Sequence, residues 1–529
     1  MTNSIQDPTR RFLVAAASYV TGSHNVKVGL QQNWGYEWFA LYKNADLEQN
    51  YQNGVPSAVV VFNTPVVWNN SLDANVGLYA QDSWSFKRLT LNYGLRWEYF
   101  KASIPDEVST PGRFGPTSDR HFGPQTFPVW KGLTPRFGVV LDVFGNAKTA
   151  VKFSANKYFA QMTDGLTNAY NPMRAQSSTL SWTDLNGDDV AQGERGCTYL
   201  SAGCEINFAQ LPSTFGQVVP GCSVLRGDGT TPCGTAQLDA NRTREYSVLY
   251  GVGVQHELFP RVSVSGNWFH SDFYNLGVTY NSLQTFADYT LFSVASPIDG
   301  APIAMYNVSS AARTRVLTLE TNATDRQRTN TAFEFNFNAR LPHSATLFGG
   351  LSTDRTLQVA CDDPSNPNNL LYCDQTKNDI PWLTQFKIAG SVPLKWGITF
   401  GAAYQSYRYI LAGGTVWQIT PTTRYAADCK GACTPGALVD PGMTVATLNV
   451  PLEAPGRQLS DRIKQLDVTF GKWITLGKVR LQPELSVLNA LNNHAVYAVR
   501  SLNYGTSSYL QPSTILQPRI LRLGMQVKW

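Results

Sequence analysis

No stretch of this 529-residue chain approaches the eighteen consecutive apolar residues that a membrane-spanning helix needs, although 43% of the chain is hydrophobic. Charge is sparse as well: Asp, Glu, Lys and Arg make up 15% of residues, and the formal balance is only +5. The basic residues are scattered without a stripe, so nucleic acid is not an expected partner. The six histidines stand apart, some at turns such as His24 and His343, and suggest no metal cluster. Enzyme signatures are missing too. There is no His-Glu-x-x-His, no Gly-x-Ser-x-Gly elbow and no Gly-Lys-Ser/Thr phosphate loop, so no covalent chemistry is expected. What the chain does have is 42 Gly, 24 Tyr, 26 Phe and 13 Trp, a balance that suits strands joined by polar, Gly-rich loops.

Several segments alternate strictly, with the period of two that a strand imposes. From Leu89 to Tyr99 the set Leu89, Leu91, Tyr93, Leu95, Trp97 and Tyr99 opposes Thr90, Asn92, Gly94, Arg96 and Glu98. Phe333, Phe335 and Phe337 oppose Glu334, Asn336 and Asn338, and Tyr246 to Val254 behaves in the same way. The chain ends on such a segment: Leu521, Leu523, Met525, Val527 and Trp529 share one face, and Arg522, Gly524, Gln526 and Lys528 the other. Near the start, Arg10-Arg11 followed by Phe12–Val20 reads either as a strand or as the n- and h-regions of a secretory signal.

Connection lengths alternate as well. Tight turns stand at Lys87-Arg88, Gly145–Ala147, Phe259-Pro260, Leu341–His343, Pro393–Lys395 and Thr475–Gly477. Between them lie long polar stretches, roughly 101–132, 160–243, 281–328, 357–380, 407–460 and 490–517. Loops this long are uncommon in compact soluble domains. The expected fold is therefore all-β: one large antiparallel transmembrane β-barrel over 1–529, with short periplasmic turns and long extracellular loops, in a bacterial outer membrane. About eighteen strands are expected, with an ambiguity at 57–68 where the up-down parity does not close. A soluble two-sheet sandwich is the alternative on alternation alone.

Asn75-Val-Gly-Leu-Tyr-Ala-Gln-Asp-Ser-Trp84 and Arg88–Tyr99 resemble a signature hairpin of TonB-dependent outer-membrane transporters. Thr134–Gly138, Arg244–Ser247, Leu485–Asn492 and the terminal strand are similar to later pieces of the same barrels. The likeness is greatest to the subgroup with a carboxypeptidase-regulatory-like domain near the N-terminus. The resemblance implies a 22-stranded barrel plugged by an N-terminal domain, whose TonB box binds the inner-membrane TonB complex. It implies capture of an extracellular small molecule or oligosaccharide by the loops, then passage through the lumen. Neither plug nor TonB box is visible in this sequence, so the chain reads as the C-terminal part of such a transporter. Leu523, Gly524, Val527 and Trp529 resemble the signal read by the barrel-assembly machinery, with outer-membrane lipid the other expected partner. A surface protein serving adhesion or assembly, without transport, is the second reading.

All eight cysteines lie in the long loops, and their local spacing predicts disulfides 197–204, 222–233, 361–373 and 429–433 in an oxidising compartment. In full these are Cys197, Cys204, Cys222, Cys233, Cys361, Cys373, Cys429 and Cys433. A metal site is the rival, but Cys429 and Cys433 have no second ligand pair nearby. Asp184, Asn186 and Asp188 occupy the alternate positions of a calcium loop, with Asp189 where Gly is usual. A solvated Asx-rich turn explains the same residues, and no other cofactor is expected. Glu98, Glu334 and Glu484 should line the lumen, as transport-path residues or as paired wall residues. Trp84, Phe86, Trp97, Tyr99, Trp473 and Trp529 suit interfacial girdles. Trp130, Tyr170, Trp182, Tyr289 and Trp417 in the loops could stack on a sugar.

Overall fold

The computed structural model describes all residues except 1, 116, 164, 172, 174–176, 214, 217–235 and 412. Its frame is a meander in which each long strand pairs antiparallel with the next. The wall strands are β1 (Thr2–Thr21), β2 (His24–Lys43), β3 (Val66–Phe86), β4 (Leu89–Ile104) and β5 (Trp130–Asp142). They continue as β6 (Thr149–Phe159), β7 (Tyr246–Phe259), β8 (Val262–Tyr274), β9 (Gln327–Arg340) and β10 (Thr346–Val359). The last five are β11 (Leu383–Pro393), β12 (Ile398–Tyr407), β13 (Ile463–Lys472, resumed at Ile474–Leu476), β14 (Val479–Leu488) and β15 (Ile520–Lys528). Residues 10–20 pair rung by rung with β2, from Arg10 opposite Gly35 to Val20 opposite Asn25, which settles their conformation as strand.

Among the described residues the wall therefore has fifteen strands, fewer than the eighteen expected. The 57–68 ambiguity accounts for part of the difference. Val55–Phe62 leaves the wall, pairing on one side with Leu47–Gln52 and on the other with Ser177–Ser181 of a different loop. Among the described residues the short alternating pieces Tyr289–Ala295 and Pro302–Val308 likewise pair only with each other. Among the described residues no pairing joins β1 to β15, so both margins of the wall are open. Because neighbours alternate in direction, the first and fifteenth strands run the same way.

All expected tight turns gather at one end of the wall and all long loops at the other. At the tight end, Lys87 (φ +52°) and Arg261 (φ +72°) take the left-handed conformation that closes a short hairpin with the right twist. Side-chain parity then divides the wall. Phe333 and Phe335 on the outer face are 48% and 50% exposed, and Leu523 reaches 83%. The inner face carries Lys27, Gln31, Arg96, Glu98, Arg136 and Asn156. Glycines on that face admit large neighbours: a Cβ at Gly29 would lie 2.5 Å from the Tyr79 ring, and one at Gly77 would lie 1.8 Å from Arg96 Nη2.

β2 and β3 are 20 and 21 residues long, whereas a tilted strand crosses a bilayer in roughly 9–11. Their excess length rises into a folded cap built by the loops. Among the described residues the cap has three apolar cores. One gathers Phe100, Ala102 and Ile104 of β4 with Trp130, Leu166, Tyr170 and Met173. A second joins Val59, Val61, Phe114, Leu180, Trp182 and Ile206. The third packs the hairpins Tyr289–Ala295/Pro302–Val308 and Val416–Ile419/Leu448–Pro451 around Met305 and Ile419.

Candidate functional site

The polar inner wall meets the cap at the long-loop end, and this mouth is where the chemistry-bearing side chains converge. Phe100, Ala102 and Ile104 share the inward parity of Glu98 along β4, and all three are fully buried under loop 160–245. The cap thus folds inward over this part of the lumen, so the mouth here has an apolar roof and a polar floor.

Ion pairs stitch that junction. Glu98 receives Arg96 Nε at 3.2 Å and Arg244 Nη1 at 3.0 Å, so it is clamped between a wall arginine and one at the foot of β7. Arg96 also donates to Gln31 Oε1 at 3.0 Å. Of the three expected lumen carboxylates, Glu98 is therefore a paired wall residue. Glu334 lines a cavity of about 950 Å³ against the inner wall, together with Gln255, Asn336, Ser352, Gln385 and Lys387. Glu484 sits opposite Gly524 in the last hairpin, away from both.

Deeper in the cap, Arg242 pairs with Glu320, which also accepts from Tyr170 Oη. Burial, then the Glu320 carboxylate, pushes the Tyr170 phenol up. Glu107 is 2% exposed; its Oε1 accepts from Asn69 N and Asn171 Nδ2, while Oε2 has no partner among the described residues. Desolvation raises this carboxyl to about 7. Sequence reasoning missed Glu107, since nothing in the isolated string Asp106-Glu107-Val108 announces burial.

Three of the expected disulfides are present: Cys197–Cys204, Cys361–Cys373 and Cys429–Cys433. Cys222 and Cys233 lie outside the described residues. Asp184 and Asp188 come together as expected, and Asn186 donates to Asp188 Oδ2 at 3.0 Å. They are joined by a residue the spacing argument did not supply, Glu205, whose carboxylate lies within 4.8 Å of both. Its placement follows from the Cys197–Cys204 ring, which folds the next residue back onto the turn. Each of the three carboxylates accepts at least two N–H bonds from residues 185–192, for example Gly187 N and Asp189 N to Asp184.

Three of the loop aromatics are a correction. Trp130 is 7% exposed, stacks on Phe100 at 5.5 Å and donates Nε1–H to Arg242 O at 2.7 Å. Tyr170 and Trp182 are core residues, Trp417 packs on the third core, and Tyr289 is tied to Ser365 O. Trp130, Tyr170 and Trp182 hold the cap together and present no stacking face, while Tyr289 and Trp417 are half-buried. The outward aromatics stand near strand ends: Trp97 and Tyr99 stack at 6.0 Å near the loops, and Trp84 lies 6.0 Å from Phe86 near the turns. Trp473 sits in the break of β13 under Arg480 and Lys528, and Trp529, 94% exposed, follows the end of β15.

Comparison with known proteins supplies the context. Residues 2–356 match the family described as outer membrane beta barrel domain. No curated protein matches the chain in sequence. Among solved structures, the siderophore receptor PiuA from Acinetobacter baumannii is similar over 99% of this chain and 56% of its own, at 8% identity and a TM-score of 0.50. The outer membrane transporter YddB from Escherichia coli and the ferric yersiniabactin uptake receptor FyuA from Yersinia pestis are each similar over 99% of this chain and 54% of theirs, at 10% and 9% identity and a TM-score of 0.48. The chain spans about half the length of these solved proteins.

Proposed function

The chain belongs to the outer membrane beta barrel domain family, and from that premise we propose that it forms the greater part of the wall, and the cap, of a TonB-dependent transporter. The observation that carries this reading is the open, odd-numbered wall with a polar inner face. Completing it in antiparallel order takes an odd number of further strands, and a 22-stranded transporter barrel requires 22 − 15 = 7. A plug domain supplied from outside these residues would rest on the inner polar surface around Asn336, Lys387 and Arg136 and take energy from the TonB complex. The loops at the mouth would capture an extracellular solute, and the lumen would pass it when the plug is remodelled. Leu523, Gly524, Val527 and Trp529 serve as the strand read by the barrel-assembly machinery.

One observation favours a second reading, a surface protein without transport: the cap has its own packed cores and disulfides, as a display platform would. The test is solute uptake by cells carrying the full gene, with and without a functional TonB complex. Uptake lost in the TonB-deficient strain supports the transporter; surface display with no energy-dependent uptake of any solute overturns it. Deleting Trp529 should lower the membrane-inserted, heat-modifiable fraction while leaving the ligand affinity of inserted protein unchanged. Normal insertion of the truncated chain would sink the assembly role.

A further inference from the structure

The mouth contains a second cavity, of about 540 Å³, between the β10–β11 loop and the loop following β12. Its floor is Gln358, near the top of β10; opposite Arg328 in the register, it shares the lumen face of the wall. Its sides carry Asn366, Asn369 and Tyr372 from one loop and Asn449 and Glu453 from the other. On this cavity, and resting on the transport reading above, we propose a binding site for a neutral oligosaccharide at the entrance to the lumen.

The amides carry the argument. Two nearby ones are used by the fold: Asn368 exchanges hydrogen bonds with the Tyr306 backbone at 2.8 and 2.9 Å, and Gln375 Oε1 accepts from Gln358 N at 2.9 Å. The side-chain amides of Gln358, Asn366 and Asn369 have no hydrogen-bond partner among the described residues. Asn449 commits only its oxygen, to Gln418 Nε2 at 3.3 Å. Each such amide offers donors and an acceptor in one plane, the pattern that vicinal hydroxyls of a sugar match with two bonds at once. The half-buried ring of Tyr372 supplies an apolar, polarisable face for the C–H side of a pyranose.

Charge argues against the other solute classes. The cation in the lining, Arg326, is held by Asp362 at 2.9 Å and donates to Gly277 O at 2.8 Å. Asp363 is tied to Ser365 and Glu453 to Thr415. An anionic metal chelate would thus meet carboxylates along the lining, and the nearest further cation, Arg457, stands beside the Tyr372 hydroxyl. The site is also stiffened in advance: Asn366, Asn369 and Tyr372 all lie inside the ring closed by Cys361–Cys373. Ordering lost before binding is not lost again on binding.

The test titrates the detergent-solubilised full chain with maltotriose, cellotriose and chitotriose by calorimetry, beside ferric citrate and tetralysine. At least one trisaccharide should bind saturably, with an affinity that does not change from low to high salt. Replacing Asn366 and Asn369 together by Ala, or Tyr372→Leu, should weaken that binding about tenfold, with the heat-modifiable gel shift intact as proof of folding. The proposal is overturned if none of the three sugars binds, if both variants bind as tightly as the wild type, or if ferric citrate or tetralysine competes for the cavity with higher affinity. Sugar binding without TonB-dependent uptake would remove the transport reading and leave this site standing. TonB-dependent uptake of ferric citrate, indifferent to the cavity variants, would do the reverse.

Discussion

The wall and the cap use the same apolar residues in opposite ways. On the wall, Phe333 and Phe335 are half exposed, and Leu521, Leu523 and Met525 more so. In the cap, Phe100, Phe114 and Val59 are fully buried. Each region is arranged for the solvent it meets. Lipid rewards an outward apolar stripe and leaves the interior free to be polar, whereas water rewards apolar side chains only when they pack on each other. Strand hydrogen bonds and the outward apolar stripe hold the wall; the cap depends on its small cores, ion pairs and crosslinks.

That contrast can be broken from either side. The largest effect is expected in the cap: Phe114→Ala, in the second core, should cost about 3–5 kcal/mol locally. Limited proteolysis should then cut loop 160–245 sooner while the heat-modifiable shift persists; simultaneous loss of both would show that the two regions are one cooperative unit. On the wall, Phe335→Lys at the lipid face should cost about 2–4 kcal/mol of insertion free energy, read as a reduced inserted fraction with the proteolytic pattern of the cap unchanged. The same substitution in a wall packed like a soluble core would unfold it outright.

Glu107 sharpens the comparison through pH. Its carboxyl is raised from an ordinary 4.5 to about 7, so the folded cap holds a proton that the unfolded chain releases first. Stability from the neutral form is fully present below about 4.5 and declines as pH rises to about 7, by no more than about 3 kcal/mol. Glu107→Gln should abolish this decline and make the cap firmer at pH 8, measured by proteolysis of the loops across pH. An unchanged pH profile in the variant would remove Glu107 from the account. The smallest effect is expected from Cys361→Ser with Cys373→Ser, where opening a short ring should cost about 2 kcal/mol in loop entropy. It should loosen the mouth and leave the inserted fraction untouched.

How much could be read from sequence follows the same division. The wall was legible because a period of two reports each residue's face locally: Leu89 to Tyr99 needs no knowledge of its neighbours to be placed. The cap was not. Val59 packs beside Leu180, the partner of its strand in a different loop, and no local pattern joins positions so far apart. Trp130 could be taken for a ligand-stacking ring because its acceptor, the Arg242 carbonyl, lies 112 positions along the chain. The calcium-like turn was seen as Asp184, Asn186 and Asp188, but Glu205 reaches it only through a crosslink. The three disulfides among the described residues were legible, since short spacings along the chain favour near neighbours as partners.

The parity of the wall acts as a selection rule for assembly. Its two free margins point the same way, so rolling the sheet onto itself would seal it with a parallel seam. A second copy inserted in the same membrane orientation would meet the same obstacle, whichever margins were brought together. Any element that closes this wall with antiparallel hydrogen bonds must bring an odd number of strands and begin and end against the grain of β1 and β15. Pairing of these edges with each other would therefore have to be parallel, which is slightly weaker per residue than antiparallel pairing.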